Sequence, residues 1–499
     1  MSSVDVIVLG ATPNGLAAAS ELARKKKKVV VLDSASQVGG LGAGREIIPG
    51  FTTRGLLHDT SKVDPLLIKR LGLSARAPTP ILSLEADGPG LLLHRDAAGS
   101  RGELSERLPD DLKGFEEWCS WRDRVVPPLA QMMKEGPFDI GLEAPLWPLL
   151  RAGVGIRRLG KKDMMELLRR APGSAQDLVT EFVDSPLLQA LLIAPGLRGT
   201  WMGPRSPSSA AVLLLHQSLV GQELPGGPSQ LVDALHQDCL KFGVEVRVGQ
   251  EVGKIRVENG DVVGVECGED VVSCTSVLSS FGPRRTLLEH IDPRILNGRL
   301  AREAMNIRCR GSLASIAFAL RDRPVFRSRP DFEVEKALWA ESPTAQEKAW
   351  DAVKHRRLPS APPLDIRVHK DEEGWVLHAL VRSAPAALKG GWSPPQQRAF
   401  GELVQTILGD LIHDFEENVV GRDLLTPTDL AREYGLDGGH ELHAELALDQ
   451  LHAFRPSPKL ASYATPIRGL WLGSSGSHPG GAVDGRAGLL ASAALLAQG

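Results

Sequence analysis

Apolar positions along the chain fall into short continuous runs near the ends and into longer, interrupted patterns in the middle. Val4-Asp5-Val6-Ile7-Val8-Leu9 is a β-branched run bounded by Gly10 and predicts a buried strand. Leu16–Arg24 is small and apolar on one face and predicts a helix. Val29–Leu32 predicts a second strand that ends at Asp33. Much later, Ser229–Phe242 reads as a helix and Gly243–Gly268 with Val271–Ser279 as a strand–hairpin–strand run. Gly469–Gly473 reads as a strand, Ser474–Gly481 as a glycine-rich turn and Val483–Gln498 as a helix. Between these lie helical patterns over Leu112–Val126 and, broken at Pro172 and Pro186, over Lys162–Ile193. Further on, strands are predicted at Ser312–Leu320, Asp365–His369 and Gly374–Val381, and a helix at Pro394–Glu416.

The first strand, turn and helix carry chemistry. A strand, Gly10-Ala11-Thr12-Pro13-Asn14-Gly15, a helix and a second strand ending in an acid form one βαβ unit with the spacing of a dinucleotide fingerprint. Gly10 permits the sharp turn, and Gly15 lets the helix approach the strand. The helix N-terminus offers free N–H groups to a pyrophosphate. Asp33 can accept from a ribose 2′-hydroxyl and repel a 2′-phosphate, which favours FAD or NAD over NADP. Thr12 stands where the second glycine of the fingerprint is expected. Its Cβ takes space beside the phosphates, and its hydroxyl could bond one of them. Lys25–Lys28 fall between helix and strand, where a solvated turn that complements the helix C-terminus is expected. The Gly469–Gln498 unit would present a second helix N-terminus to an anion or a polar ring.

Composition narrows the alternatives. The 499 residues hold 58 Lys+Arg against 61 Asp+Glu, a net charge of −3, so bulk attraction to nucleic acid or an anionic membrane is not the main function. Length alone suggests two or three domains. The 52 glycines and 35 prolines make the chain loop-rich but leave it in the globular range. Cys119, Cys239, Cys267, Cys274 and Cys309 are widely spaced, with no ligand pattern for a metal and no disulfide framework. Reduced thiols and the lack of a basic n-region at the start fit a cytoplasmic protein. No apolar run reaches the length of a membrane span.

Taken in order, G-x-x-x-N-G-L-x-A-A at Gly10–Ala19, an acid-ended strand, Gly39-Gly40 and Glu46–Phe51 (EIIPGF) resemble the phytoene desaturase-like flavoproteins. These belong to the FAD-dependent amine oxidase and carotenoid desaturase superfamily. The chain is most similar to the branch of pyridine nucleotide-disulfide oxidoreductase domain-containing protein 2. Gly199–Pro204 (GTWMGP), Leu224–Gly227, Leu388–Trp392, Asp429–Gly439, Leu448–Leu451 and Arg468–Gly488 match in the same order, so the resemblance covers nearly the whole chain. It implies an α/β fold: a discontinuous Rossmann-like FAD-binding domain from 1–75, 220–295 and 440–499, and an α+β substrate domain with a helical cap from 76–219 and 296–439. It implies FAD as cofactor, held by Gly10, Thr12, Asn14, Gly15, Asp33, Gly39, Gly40, Val252 (adenine), Gly473, His478, Gly480, Gly481 and Ala482. The last four would line the isoalloxazine. A third glycine is usual where Ala482 stands.

His58, near the flavin by the resemblance, His443 and His478 are the candidate catalytic residues, since a neutral imidazole can act as acid or base. An apolar pocket between sheet and cap is expected, with Trp118, Trp121, Met132-Met133, Met164-Met165 and Leu191–Ile193 as candidate lining. The function implied is hydride transfer between flavin N5 and a carbon of an apolar isoprenoid, lipid-like or secondary-metabolite substrate. Desaturation, saturation and isomerisation all remain open. With no second complete fingerprint, oxygen or a quinone is the expected external electron acceptor. A peripheral membrane contact at the cap is a further expectation. Two other functions stand beside this one. One is an FAD-free, lipid-binding escort, for which Thr12 speaks. The other is an amine oxidase, against which the low aromatic content of 5% speaks.

Overall fold

The computed structural model describes residues 4–138 and 146–498. Two seven-stranded sheets organise the chain. The parallel part of the first runs Glu245–Arg247, Val29–Leu32, Val4–Leu9, Asp270–Ser279, Leu470–Leu472. Asp270–Ser279 is long. Its outer half turns into an antiparallel meander with Asp261–Cys267 and Val252–Glu258. Both faces are covered, which is why the first strand reads as a continuous apolar run. Val6 and Val8 pack with the helices Pro13–Arg24, Gly227–Lys241 and Arg486–Gln498, while Ile7 and Leu9 pack on the opposite side with Val252, Leu287 and Leu300.

The second sheet has the order Val419–Leu425, Ala314–Leu320, Trp375–Val381, Leu364–Lys370, Lys336–Trp339, Ile81–Ser83, Leu91–Leu93. One face buries Ile316, Phe318, Ile366 and Leu377 against the helix Pro394–Leu411. A helical cap lies beyond its edge. Its core joins Phe115, Trp118 and Trp121 of Pro109–Lys134 to Leu188, Ile193 and Leu213 of Pro186–Ile193 and Ser209–Leu219. Among the described residues no helix is long and apolar enough to cross a membrane.

Several predicted boundaries move. The Leu112–Val126 helix extends over Pro109–Lys134. The Lys162–Ile193 pattern becomes three helices, Gly160–Arg170, Ala175–Thr180 and Pro186–Ile193, the latter two each opened by a serine cap. Pro394–Glu416 stops at Leu411, where Ile412 turns extended (φ −126°, ψ 136°), and Asp414 at φ 49° precedes a short helix at Phe415–Asn418. The final helix begins at Arg486 rather than Val483, since Gly485 has φ +74° and the Asp484 carboxylate accepts from the Arg486 amide at 3.0 Å. Lys25–Lys28 do form the solvated turn between helix and strand, with Lys26 at φ 65°.

Candidate cofactor and active site

Val4–Leu9 lies between Val29–Leu32 and Asp270–Ser279, so the strand order reverses beside it. Open α/β sheets bind ligands in the crevice at such a point. Here a cleft of about 350 Å³ is lined by Thr12, Asn14, Asp33, Gly40, Ser280 and Ala482, with Arg45, Arg285 and Arg432 at its sides. Gly10 ends the strand at φ +93°, and a Cβ on it would lie 2.5 Å from Ser280 Oγ. A Cβ on Gly15 would lie 2.0 Å from the Gly10 carbonyl oxygen, so helix and strand touch through bare backbone. Asp33 is buried. Its two oxygens accept from the Ala11 amide at 2.7 Å and the Ala35 amide at 2.9 Å. Burial raises its pKa, and those amides oppose the rise.

Thr12 is a helix cap. Its Oγ1 accepts from the Gly15 amide at 3.1 Å, and its hydroxyl donates to Ser280 Oγ at 2.9 Å. The proton that could have met a phosphate is therefore already placed. Pro13 has no N–H, and the Leu16 amide bonds the Thr12 carbonyl at 2.8 Å. Among the described residues this leaves the Asn14 amide as the free donor of the first turn.

The two ends of the chain meet at Asn14. Its side-chain NH₂ donates to the Gly481 carbonyl at 3.0 Å, and its oxygen accepts from the Gly488 amide at 3.3 Å. Helices Pro13–Arg24 and Arg486–Gln498 consequently start side by side. Gly480 (φ +97°), Gly481 and Ala482 form the irregular turn before the second helix, and Gly480 and Gly481 line a further chamber. Other expected cofactor residues sit one layer back. Gly39 (φ +116°) clamps the loop: its amide donates to the Ala11 carbonyl at 2.7 Å, and a Cβ would meet Val232 at 2.6 Å. Gly473 is packed in the core, where a Cβ would lie 2.7 Å from Leu278. The Val252 side chain joins the core beneath the Asp33 loop.

The three candidate histidines are not brought together. His443 lines the cleft beside Asp33, where burial and His440 hold its pKa down at about 3. His478 is fully buried and faces away, bonded to the Glu135 carbonyl at 3.0 Å and packed edge-on to His452. Only His58 lies in the chamber under residues 480–484. Its Nε2 bonds His378 Nδ1 at 2.8 Å, and His378 Nε2 bonds Ser315 Oγ at 2.7 Å. Among the described residues His58 Nδ1 has no partner. Burial first, then nearby cations, keep His58 neutral at ordinary pH.

That chamber, about 70 Å³, also contains a charge cluster that the sequence reading missed. Arg198 binds Asp365 at 2.8 Å and Asp59 at 3.3 Å, and Arg382 binds Glu441 at 2.9 Å. Lys62 donates to His216, whose other ring nitrogen bonds the Arg198 carbonyl at 3.0 Å. Burial lowers the Lys62 pKa to about 8. Asp365, Arg367, His378 and Leu380 share one sheet face by register, opposite the Ile366–Leu377 core face. The alternation of Asp365-Ile366-Arg367-Val368-His369 was the available signal. It reads as a solvent face, because only the fold reveals that the first sheet's loops cover it. The chamber adjoins two cavities. One, between sheet and cap, is largely apolar and is lined by Leu197, Met202, Trp350 and Leu380, none of them among the expected lining residues. The other takes in Trp118, Leu191 and Leu192, whereas Trp121 is cap core and Met165 is exposed.

Beneath the glycine turn lies Arg455, fully buried. It donates to the carbonyls of Leu442, Ala444, Glu445, Gln450, Ser475 and Ser477. Burial lowers its pKa to about 9.

Comparison with known proteins agrees with this geometry. Residues 8–61 match the model of the NAD(P)-binding Rossmann-like domain. Pyridine nucleotide-disulfide oxidoreductase domain-containing protein 2 of Rattus norvegicus is 28% identical over 97% of this chain and 92% of its own length. The similarity runs along most of both chains. One of the limonene dehydrogenase subunits of Castellaniella defragrans is 26% identical over 96% of this chain and 92% of its own. A redesigned putrescine oxidase shares the fold, with a TM-score of 0.62 at 16% identity, over 100% of this chain and 99% of that one. The architecture is thus a Rossmann-like α/β domain with a second domain, the fold it shares with the putrescine oxidase structure.

Proposed function

We propose that the chain is an FAD-dependent oxidoreductase that moves a hydride between flavin N5 and a carbon of a largely apolar substrate. The observation that carries this is the Asn14 bridge. Two glycine turn–helix units from opposite ends of the chain meet there, beside a cleft that passes Asp33. FAD, when bound, supplies the hydride acceptor or donor.

The residues fit that group. Asp33 would take the ribose hydroxyls with the acceptor capacity its two backbone bonds leave over. The Asn14 amide, Arg285 and Arg432 would meet the pyrophosphate. Gly480, Gly481 and Ala482 would lie along the ring. His58 Nδ1 is the neutral group placed to hold or pass a proton in the adjoining chamber. The apolar cavity between sheet and cap would take the substrate body and exclude water. Desaturation, saturation and isomerisation would use the same parts. A net oxidation would pass its electrons on to oxygen or a quinone. Exposed Met165 and Leu168, next to Lys161 and Lys162, would be the cap's contact with a membrane that supplies the substrate.

The test is an absorbance spectrum of the protein purified without added cofactor, then again after incubation with FAD and gel filtration. Flavin bands that bleach under anaerobic reduction are the expected result. A colourless protein that refuses FAD would overturn the reading and put the FAD-free lipid escort in its place.

A further inference from the structure

The face of the second sheet that closes the chamber under residues 480–484 holds more hydrogen-bond donors than acceptors. Of the carboxylates around the chamber, Asp365 on the sheet and Asp59 on a loop are engaged by Arg198, and Glu441 by Arg382. Asp484 takes the Arg486 amide on one oxygen and among the described residues has no partner on the other, and burial raises its pKa toward the neutral acid. Arg367 is different. Among the described residues its side chain makes no hydrogen bond. The nearest carboxylate, Glu223, is 3.7 Å away and also faces Lys336 at 3.7 Å and Arg76 at 3.8 Å. Arg367 Nε and Arg382 Nε are both out of contact with solvent and both unpartnered, as is His58 Nδ1. All three residues line the one chamber. Arg70, Arg76 and Arg107 also have an unpartnered Nε, but each is paired with a glutamate close by, whereas Arg367 has no carboxylate within hydrogen-bond reach among the described residues; with Arg382 on the same wall, that points to an oxyanion.

The neighbouring space supplies the other half of the ligand. Arg198, Asp365 and Arg382 line both this chamber and the cavity walled by Ala194, Leu197, Met202, Leu338, Trp350 and Leu380. A ligand across that border would have its body among apolar side chains and its end on arginines. The chamber is small, at about 70 Å³, and two unpaired N–H groups match one planar, singly charged group.

We infer that the substrate is an amphipathic acid: its apolar body occupies the cavity between sheet and cap, and its carboxylate sits on Arg367 and Arg382. This rests on the reading above, in which the 480–484 turn faces the reacting ring.

The test uses three ligands with one chain: dodecanoate, dodecyl phosphate and dodecanol. Each is measured by equilibrium dialysis against the FAD-treated full-length protein, with flavin content determined separately on the same sample. Saturable binding of dodecanoate, about 10-fold or more tighter than dodecanol, is expected. Arg367→Gln should remove most of that preference and leave dodecanol binding unchanged, while Arg367→Lys should keep part of it. A flavin difference spectrum on adding dodecanoate would place the ligand beside the ring. Equal affinity for acid and alcohol overturns the inference, as does an unaltered preference in a folded Arg367→Gln protein. Tighter binding of dodecyl phosphate would overturn the carboxylate assignment. Should Arg367→Gln not fold, the wild-type ligand series and Arg367→Lys still decide. Carboxylate preference on a protein that takes no flavin would sink the flavoenzyme reading and leave the Arg367 site standing. A flavin-loaded protein without that preference does the reverse.

Discussion

Asp33 and Thr12 show how much a single residue can be asked to do. Asp33 uses one lone pair on each oxygen to hold the Ala11 and Ala35 amides, so it shapes the turn as well as facing the cleft. Asp33→Ala should therefore lower both flavin content and stability. Asp33→Asn, which keeps an acceptor, should lower flavin content more than stability. Unchanged flavin content in both variants would remove Asp33 from the ribose role. Thr12→Gly removes a cap that glycine replaces at a cost of only a few tenths of a kcal/mol, and it frees the Gly15 amide. Its flavin content should equal or exceed that of the wild type, and a fall would show that the hydroxyl contributes. A third residue gives a pH signature. Burial pushes the Asp437 carboxyl up to about 6 from 3.8. The folded state then binds the proton more tightly than the unfolded one, so stability falls as pH rises from about 4 to about 6 and is flat above. Asp437→Asn should abolish that slope and gain about 1–2 kcal/mol at neutral pH, after allowance for partial exposure. Urea midpoints at the two ends of the window would check it. Asp33 and the glycines were legible because their spacing is local. The commitment of the Thr12 hydroxyl to Ser280 was not, because 268 residues separate the pair.

At the scale of the element, the second glycine turn is held from below. Arg455 gathers six carbonyls from two loops, 442–450 and 475–477, and among the described residues no carboxylate is bonded to it. Its charge is spread over backbone dipoles, which suits a delocalised guanidinium better than an ammonium. Arg455→Met should cost about 3–5 kcal/mol, as expected when buried acceptors lose a charged donor. Flavin content should fall with it, because the turn 480–482 loses its floor. Arg455→Lys, with three donors, should recover part of both. Equal loss in the two variants would mean that side-chain volume matters and the carbonyl bonds do not. The sequence predicted this turn and its helix from glycine and apolar pattern, but placed the helix start three residues early. Asp484 and Gly485 explain the shift: a carboxylate cap and a left-handed glycine stop the helix from extending backwards. Nothing local marks Arg455 itself, since its partners are backbone groups that any sequence supplies.

Across the whole molecule, each sheet is assembled from distant segments, and the faces between them meet through charge rather than apolar packing alone. Arg198, from the loop after the cap helix Pro186–Ile193, binds Asp59 from a loop beside the first sheet and Asp365 from the second sheet. This one guanidinium ties three parts of the fold. The polar stripe was invisible as an interface in the sequence for the reason already seen at Asp365–His369: alternation reports two faces and not what covers each. The cluster also sets the direction of the thermodynamics. Replacing Arg198 by Met leaves Asp365 buried without its bonded cation and Asp59 with Lys62 alone, which should cost about 3–5 kcal/mol. Neutralising the carboxylates as well, in Arg198→Met with Asp59→Asn and Asp365→Asn, removes the uncompensated charge. Most of the lost stability should return, because a well-packed neutral cluster avoids the desolvation that the ions incur. Because Arg198 ties the loop beside the first sheet to the second sheet, the single variant should lower one cooperative transition rather than release one sheet alone. Calorimetric unfolding of the three proteins checks both points. A triple variant no more stable than Arg198→Met would show that Arg198 acts by filling space. Two separated transitions in the single variant would show that the sheets fold independently of the charge cluster between them.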